Sequence, residues 1–292
     1  MATTTLRADR ASRDIDALTS STLKHLRERW WNAEFTEFLR ETLVPHAGDR
    51  ILDVGCGVGT AELALGKLGI SQLELYGVDL IATRVADAVK AARKHNVGAG
   101  FAAADTRALP FGDRVFDSTF CVAVLQHVRD VAGAVGEFAR VTKPGGRILV
   151  VEPDNAARYW YSSTRTGAAA FEIATRFFRA VEAFGDSADL AVGPRISDVF
   201  APHGIEPIAV RLFLVSRVRL GPPPPTVWQA RRDVITGAID RVQDESLREM
   251  GRHYLRVLER YANEAAAAGS RFVEIQNTTL FATVGKKKKP EV

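Results

Sequence analysis

Cysteine, long apolar runs and a hydrophobic leader are all scarce or missing in this chain of 292 residues. The two cysteines, Cys56 and Cys121, have a spacing that argues against both a disulfide framework and a zinc site. No stretch approaches the roughly eighteen uninterrupted apolar residues of a membrane-spanning helix. The start, MATTTLRADRASRDID, lacks the apolar core of a secretory signal. We therefore expect a cytoplasmic protein without stable membrane insertion.

Charge of one sign is not strongly in excess either. The formal net charge is +4, and the run KKKK at 286–289 accounts for much of it. We interpret residues 286–292 as a solvated basic tail and expect no nucleic-acid partner. Apolar residues make up 46% of the chain, enough for a substantial core.

From residue 50 onward, strand-length apolar runs alternate with segments of helical period. This alternation predicts an α/β fold, a Rossmann-like doubly wound sheet that is mostly parallel with a last antiparallel strand, plus a helical cap and insertions. GPPPP at 221–225 predicts a stiff extended spacer, and the helical stretch after it should break near Asp244.

The predicted domain organisation has one α/β core with helical additions. The boundaries are an N-terminal helical cap at 1–45, the core at 46–153, a helical insertion forming part of an acceptor pocket at 154–186, the remainder of the core sheet at 187–220 and 270–285, a second helical insertion at 221–269, and the basic tail at 286–292.

The segment ILDVGCGVGT at 51–60 places a glycine-rich turn between the first strand and the first helix. Such turns bind nucleotide-like ligands, because small residues admit the ligand and the helix start offers free N–H donors. A dinucleotide site usually reads G-x-G-x-x-G, whereas this loop reads G-x-G-x-G after Asp53. An acid at this point repels a phosphate and suits a ligand with an ammonium group.

Two further acids follow the next two strands. Asp79 ends the second strand, where an acidic side chain binds the hydroxyls of an adenosine ribose. Asp105 follows the third strand and is expected to meet the adenine edge, with Leu80 and Thr106 as walls around the base. Asp117 precedes an apolar strand, and we interpret it as a structural hydrogen-bonding residue.

Together these motifs resemble the class I S-adenosylmethionine-dependent methyltransferases, in particular the small-molecule group similar to the ubiquinone and menaquinone enzymes (methyltransferase type 11). The motifs occur in order along about the middle third of the chain. They are LDVGCGVGT at 52–60, GVDL at 77–80, DTRALPFGDRVFD at 105–117, LQHV at 125–128 and KPGGRILVVEP at 143–153.

The resemblance implies S-adenosyl-L-methionine as cofactor and S-adenosyl-L-homocysteine as product. The glycine loop would lie against the methionine part, Asp79 would hold the ribose, Asp105 would reach the adenine amino group, and Asp53 would steer the ammonium group. The alternate glycines would make room for a cofactor that lies flat on the backbone. The full predicted cofactor set is Asp53, Gly55, Cys56, Gly57, Gly59, Asp79, Leu80, Asp105, Thr106 and Val122.

His127 ends the fourth strand, where the methyl group and its acceptor should meet. An unperturbed imidazole has a pKa of about 6.5, so His127 could act as a general base or position the acceptor. Similar family members carry a histidine here for packing or as a shelf for the cofactor, and that alternative stays open. The other histidines have no ligand-like spacing, and we expect no metal.

The predicted reaction moves a methyl group to a carbon, nitrogen or oxygen atom of a fairly large, partly aromatic or apolar small molecule, such as a secondary metabolite. Aromatic residues outside the shared core are candidates for binding this acceptor, although aromatic stripes more often pack a core. They are Trp30, Trp31, Tyr159, Trp160, Tyr161 and Phe177. A homo-oligomer is compatible with the sequence.

Three alternatives were weighed. An NAD-dependent oxidoreductase of similar fold is disfavoured by the glycine spacing and by Asp53. A non-catalytic protein that keeps the cofactor fold is disfavoured by the intact glycines, Asp79 and Asp105. A nucleic-acid methyltransferase is disfavoured because no N/D-P-P-Y-like tetrapeptide follows the fourth strand and no separate basic module is present.

Overall fold

Strands and helices alternate through the first part of the chain, as the sequence predicts. The computed structural model describes residues 31–184 and 191–289. Its first elements are, in order, α1 (Ala33–Leu43), β1 (Arg50–Val54), α2 (Thr60–Gly66), β2 (Glu74–Asp79), α3 (Ala82–Lys94), β3 (Ala99–Ala103) and β4 (Phe116–Val122). A short 3-10 helix, Leu125–His127, follows β4.

Longer elements make up the second part. They are α4 (Val131–Val141), β5 (Thr142–Ser162), α5 (Arg165–Phe184), α6 (Ile196–Phe200), β6 (Ile205–Leu220), α7 (Pro225–Arg241), α8 (Glu245–Ala268) and β7 (Val273–Lys287). The break between α7 and α8 falls where the sequence predicts it, since Asp244 is the N-cap of α8 and accepts a hydrogen bond from the backbone N–H of Leu247. Among the described helices, none is long and apolar enough to cross a membrane.

The strands form one seven-stranded sheet within the described residues, in the order β3-β2-β1-β4-β5-β7-β6. The pairs β1 with β2, β1 with β4, β2 with β3, and β4 with β5 are parallel. One strand is antiparallel, so the predicted fold class is confirmed. Since β1 to β4 run in the same direction, their carboxyl ends meet at one edge of the sheet. Asp53 is in register with Gly77 of β2 at this edge.

The chain divides into two compact units. The first contains the described residues up to Pro153 together with 192–213 and 280–289, and the second contains 154–184, residue 191 and 214–279. Residues 214–220 and 270–279, which the sequence analysis assigned to the core sheet, therefore fall in the second unit.

Each unit has its own apolar core. In the first unit, β1 contributes Leu52 and Val54, which pack in one cluster with Phe138 of α4 and Phe200 of α6. In the second unit, α8 packs against α5 and α7. The largest side chains of that core are Phe177, Trp228, Tyr254, Tyr261 and Phe272.

Two expectations about the later chain are wrong. Pro225 is not part of an extended spacer but the first residue of α7, a position that suits proline because the first helical residues need no N–H bond. Lys287 belongs to β7 and not to a solvated tail. Its Nζ donates hydrogen bonds to the backbone oxygens of Ala139 and Thr142, where α4 ends.

Candidate active site

The carboxyl ends of the parallel strands bring three predicted acids to one edge of the sheet in the first unit. Asp53 lies in β1 just before the glycine loop, Asp79 is the last residue of β2, and Asp105 follows β3. Asp117, by contrast, accepts hydrogen bonds from the backbone N–H of Arg50 and from Lys143 Nζ, which confirms its structural role.

All three glycines of the loop adopt a left-handed backbone, with φ of +83° at Gly55, +56° at Gly57 and +81° at Gly59. A Cβ on Gly55 would lie 2.3 Å from Val124 Cγ2, and one on Gly59 would lie 3.1 Å from Ala88 Cβ. A Cβ on Gly57 would have nothing within 4 Å. The chain's own packing thus accounts for two of the glycines, and Gly57 alone of the three faces open space.

We expect Gly55→Ala to destabilise the protein by about 2–4 kcal/mol, because it combines overpacking with left-handed strain. Urea unfolding measures the loss. Gly57→Ala carries the backbone strain without the clash, and we expect it to cost about 1–2 kcal/mol.

The double variant Gly55→Ala/Val124→Ala separates the two causes. Removing the Val124 methyl groups should recover part of the stability that Gly55→Ala loses. If the loss of unfolding free energy in the double variant equals the sum of the losses in the two single variants, the clash with Val124 is not the cause.

Asp79 connects the glycine loop to the end of β2. Its Oδ2 accepts a hydrogen bond from Gly57 N at 2.9 Å, and its Oδ1 accepts one from Ile81 N at 2.9 Å. The side chain is almost fully buried, at 6% exposure. Each carboxylate oxygen can accept a second hydrogen bond, so the group remains able to bind a pair of hydroxyls.

Asp105 is held by a neighbour that sequence reasoning missed. Arg107 forms an ion pair with it, with Nη2 to Oδ2 at 2.6 Å, and Arg107 N donates to Oδ1 at 2.9 Å. The Arg107 guanidinium lowers the pKa of Asp105 below its usual value. Thr106, the residue after Asp105, is buried. Leu80, the residue after Asp79, is 41% exposed.

Asp53 belongs to a group of buried acids beneath the glycine loop. Burial raises the pKa of Asp53, and the charge of Asp79 raises it further. Glu62, in the first turn of α2, is also buried, and its pKa is raised by burial and by Asp53. Burial likewise raises the pKa of the Cys56 thiol. The site therefore concentrates groups that ionise poorly without a cationic partner.

His127 lies on a turn that a buried acid of β5 holds in place. Glu152 Oε1 accepts hydrogen bonds from Val124 N and Leu125 N, both at 2.7 Å, and Oε2 accepts one from Gln126 N at 3.3 Å. Glu152 has no exposed surface. Because Val124 also packs on Gly55, this turn connects β5 to the glycine loop. Val122, at the end of β4, is partly buried beside it.

The predicted acceptor residues do not share one environment. Trp30 lies outside the described residues, and Trp31 packs edge-on against Phe35, with ring centroids 5.1 Å apart. Tyr159 and Tyr161 of β5 are 57% and 45% exposed. Trp160 stacks on Phe171 in the second unit. Phe177 is fully buried in the core of that unit, so the structure gives its ring a packing role.

Besides Arg107, the sequence analysis missed two functional candidates, Glu152 and Glu62, and the sequence signals for these two differ in strength. Glu152 occurs in VVEP near the carboxyl end of the predicted fifth strand, so the rule that identified Asp79 could have found it. Glu62 occurs in TAELALG, where an acid in the first turn of a helix is ordinary. Among the described residues, no group of three His, Cys, Asp or Glu could hold a metal ion.

The fold at this site is that of a known class. The chain is similar to the solved structure of the [4+2]-cyclase SpnF, with a TM-score of 0.52 and 18% identity over 87% of this chain and 80% of that one. Identity at this level shows the fold alone. Residues 52–150 match the family model described as Methyltransferase domain. This part of the chain is therefore similar to methyltransferase domains.

The curated relatives that this chain resembles are methyltransferases as well. The ubiquinone biosynthesis O-methyltransferase of Thiobacillus denitrificans is 34% identical over 154 residues, which cover 47% of this chain and 62% of the relative. The demethylmenaquinone methyltransferase of Mycobacterium tuberculosis is 35% identical over 152 residues, 51% of this chain and 58% of the relative. The chain thus matches less than two thirds of the length of these curated relatives.

Proposed function

We propose that this protein transfers the methyl group of S-adenosyl-L-methionine to a carbon, nitrogen or oxygen atom of a fairly large, partly aromatic or apolar small molecule. The observation that carries the proposal is Asp79, buried at the end of β2 with acceptor capacity left and joined to the backbone of Gly57. Gly57 itself faces open space. The match of residues 52–150 to the Methyltransferase domain supports the same class.

The residues present fit this cofactor. Asp79 would bind the ribose hydroxyls, the backbone around Gly57 would lie along the methionine part, and Asp53 would attract the ammonium group. Thr106 and Leu80 would flank the adenine, and Asp105 would accept from its amino group. The bound sulfonium supplies an activated methyl group, so the protein chiefly has to align the acceptor and exclude water.

The acceptor half of the proposal concerns the exposed aromatic residues. We infer that Tyr159 and Tyr161 contact the acceptor, since both present a large exposed ring. His127 would position the acceptor atom or take its proton. The quinones for which the two relatives are named have planar, partly apolar rings, which supports an acceptor of that kind.

Ligand binding tests the cofactor. We expect S-adenosyl-L-homocysteine at about one hundred times its dissociation constant to stabilise the protein by about 2.7 kcal/mol against thermal unfolding, because it binds the folded state. NADH at the same concentration should have no effect. Stabilisation by NADH alone would contradict the proposal and favour the oxidoreductase alternative.

Transfer is tested separately, since the fold by itself does not specify the reaction. Methyl-labelled S-adenosyl-L-methionine would be incubated with a panel of naphthols, hydroxyquinones and aromatic amines, and products would be separated by chromatography. Label in any product supports a transferase. If the protein binds S-adenosyl-L-homocysteine but transfers label to no member of the panel, the result would contradict the proposed class of acceptor.

A further inference from the structure

Glu62 is a buried acid whose carboxylate has no hydrogen-bond partner. The residue is 1% exposed, and both Oε1 and Oε2 are covered and unpartnered. An ionised carboxylate in such a place is strongly disfavoured unless a cation or a set of donors reaches it. An acid kept in this position points to a cationic or hydrogen-bonding ligand that binds close to it.

Its position is directly beneath the glycine loop. A Cβ on Gly77 would lie 2.3 Å from Glu62 Oε1 and 2.9 Å from Cys56 Cβ, so the carboxylate rests on the backbone of β2 beside the loop. Gly77 is the register partner of Asp53 in β1. Asp53 is itself 4% exposed, and its charge acts on Glu62. The two acids therefore interact electrostatically at the start of the loop, and we refer to them as the carboxyl pair.

Among the described residues, no lysine or arginine acts on the pKa of Glu62 or Asp53. At the end of β2 lies Asp79, whose charge raises the pKa of Asp53, and in the loop lies the Cys56 thiol, whose own pKa is raised by burial and by the charges of these acids. From α3 and β3 come the apolar Ala88 and Phe101. The buried face of α1, which packs on α2, carries Leu39 and Leu43.

We propose that Glu62 and Asp53 together retain one proton before the cofactor binds and release it when the amino group of the cofactor's methionine part binds, which makes Glu62 a positioning residue for that group. The proton passes from the carboxyl pair to the solvent, and no other bond is made or broken. The inference rests on the proposed function, because it needs the cofactor to bind at this loop.

The sign of the pH dependence follows from linkage. A nearby cation favours the ionised pair, so the complex holds fewer protons than the empty protein, and affinity rises with pH. Release of one proton corresponds to about a tenfold gain in affinity per pH unit. The gain ends once the pH exceeds the pKa of the pair in the empty protein, where no proton remains to be released.

Isothermal titration calorimetry measures the released proton directly. The full chain would be titrated with S-adenosyl-L-homocysteine between about pH 6.5 and 7.5, in buffers that differ in ionisation enthalpy. The difference in binding heat between buffers gives the number of protons released. 5′-Methylthioadenosine, which keeps the adenosine and sulfur but lacks the amino-acid part, should bind without releasing a proton.

Glu62→Gln keeps the shape of the side chain and removes its charge. We expect this variant to bind S-adenosyl-L-homocysteine about tenfold more weakly and to release fewer protons on binding. Its affinity for 5′-methylthioadenosine should be unchanged. Glu62→Leu is a second variant that should fold at least as stably as the natural chain, since it removes an unpartnered buried acid. The matched control is Glu34→Gln, an exposed acid in the first turn of α1.

The outcomes separate this inference from the proposed function. If the natural chain binds S-adenosyl-L-homocysteine without releasing a proton, or if Glu62→Gln behaves as the natural chain does, the inference is wrong while the cofactor assignment stands. If S-adenosyl-L-homocysteine does not bind at all, the proposed function fails first. Proton release that Glu62→Gln reduces, with Glu34→Gln unchanged, supports the pair as the receiver of the amino group.

Discussion

Asp79→Asn is expected to weaken binding of S-adenosyl-L-homocysteine by about a hundredfold or more, because the two charge-assisted hydrogen bonds that we propose Asp79 makes to the ribose, each contributing about 1.5–3 kcal/mol, would be lost or weakened. The carboxylate already serves Gly57 N with one oxygen and Ile81 N with the other. An asparagine amide offers one oxygen only, so its NH₂ would oppose one of these backbone donors. Isothermal titration measures the change in affinity.

The control for this change is Asp87→Asn. Asp87 lies in α3 of the same unit, is exposed and pairs with Lys90, so it shares the chemistry but not the position. We expect it to bind S-adenosyl-L-homocysteine as the natural chain does. Asp79→Asn that stays folded and keeps full affinity would remove the main support for the proposed cofactor site.

Glu152→Ala is expected to destabilise the first unit by about 3–9 kcal/mol, because three backbone N–H groups would lose a buried acceptor at about 1–3 kcal/mol each. Those groups are the N–H of Val124, Leu125 and Gln126, on the turn that ends with His127. The change in unfolding free energy can be measured with urea. Hydrogen exchange should show faster exchange at these three amides than elsewhere in the sheet.

Glu152→Gln is a more conservative variant at the same position. Its amide oxygen can accept from Val124 N and Leu125 N, while its NH₂ would oppose Gln126 N, so we expect a smaller loss of stability than for alanine. Glu206→Gln, at an exposed position of β6, is the control and should be neutral. If Glu152→Ala is as stable as Glu206→Gln, the turn is held by other contacts.

These two acids have different consequences for the proposed reaction. In the proposed site Asp79 binds the cofactor, so its loss should affect cofactor binding most. Glu152 acts through the turn, whose Val124 packs on Gly55 and whose last residue is His127. We infer that Glu152 positions the acceptor side of the site relative to the glycine loop, so variants here should affect both cofactor affinity and methyl transfer.

Local patterns were sufficient to predict most of the sheet. The alternation of apolar runs and helical periods placed β1 to β4 and their helices, because strand and helix formation depends on side chains that are close in sequence. The glycine loop and Asp79 were predicted for the same reason, since the carboxyl end of a parallel strand can be located from sequence alone.

The sequence pattern failed where conformation depends on distant partners. The KKKK run gave no sign that Lys287 would reach the end of α4, about 148 residues away in the chain. Phe177 was read as a candidate acceptor residue, yet packing in the second unit buries its ring. In each case the residue type was compatible with several environments, and tertiary contacts selected one.

The sequence by itself determined the α/β class, the succession of strands and helices along the chain, and the acids at the strand ends. These features follow from periodicity and from the direction of parallel strands. Only the tertiary structure decided that Val124 packs on Gly55, that Glu152 holds the turn before His127, and that Glu62 lies unpartnered beside Asp53. The physical reason is burial: whether a carboxylate is solvated, bonded or isolated depends on which chain segments fold over it.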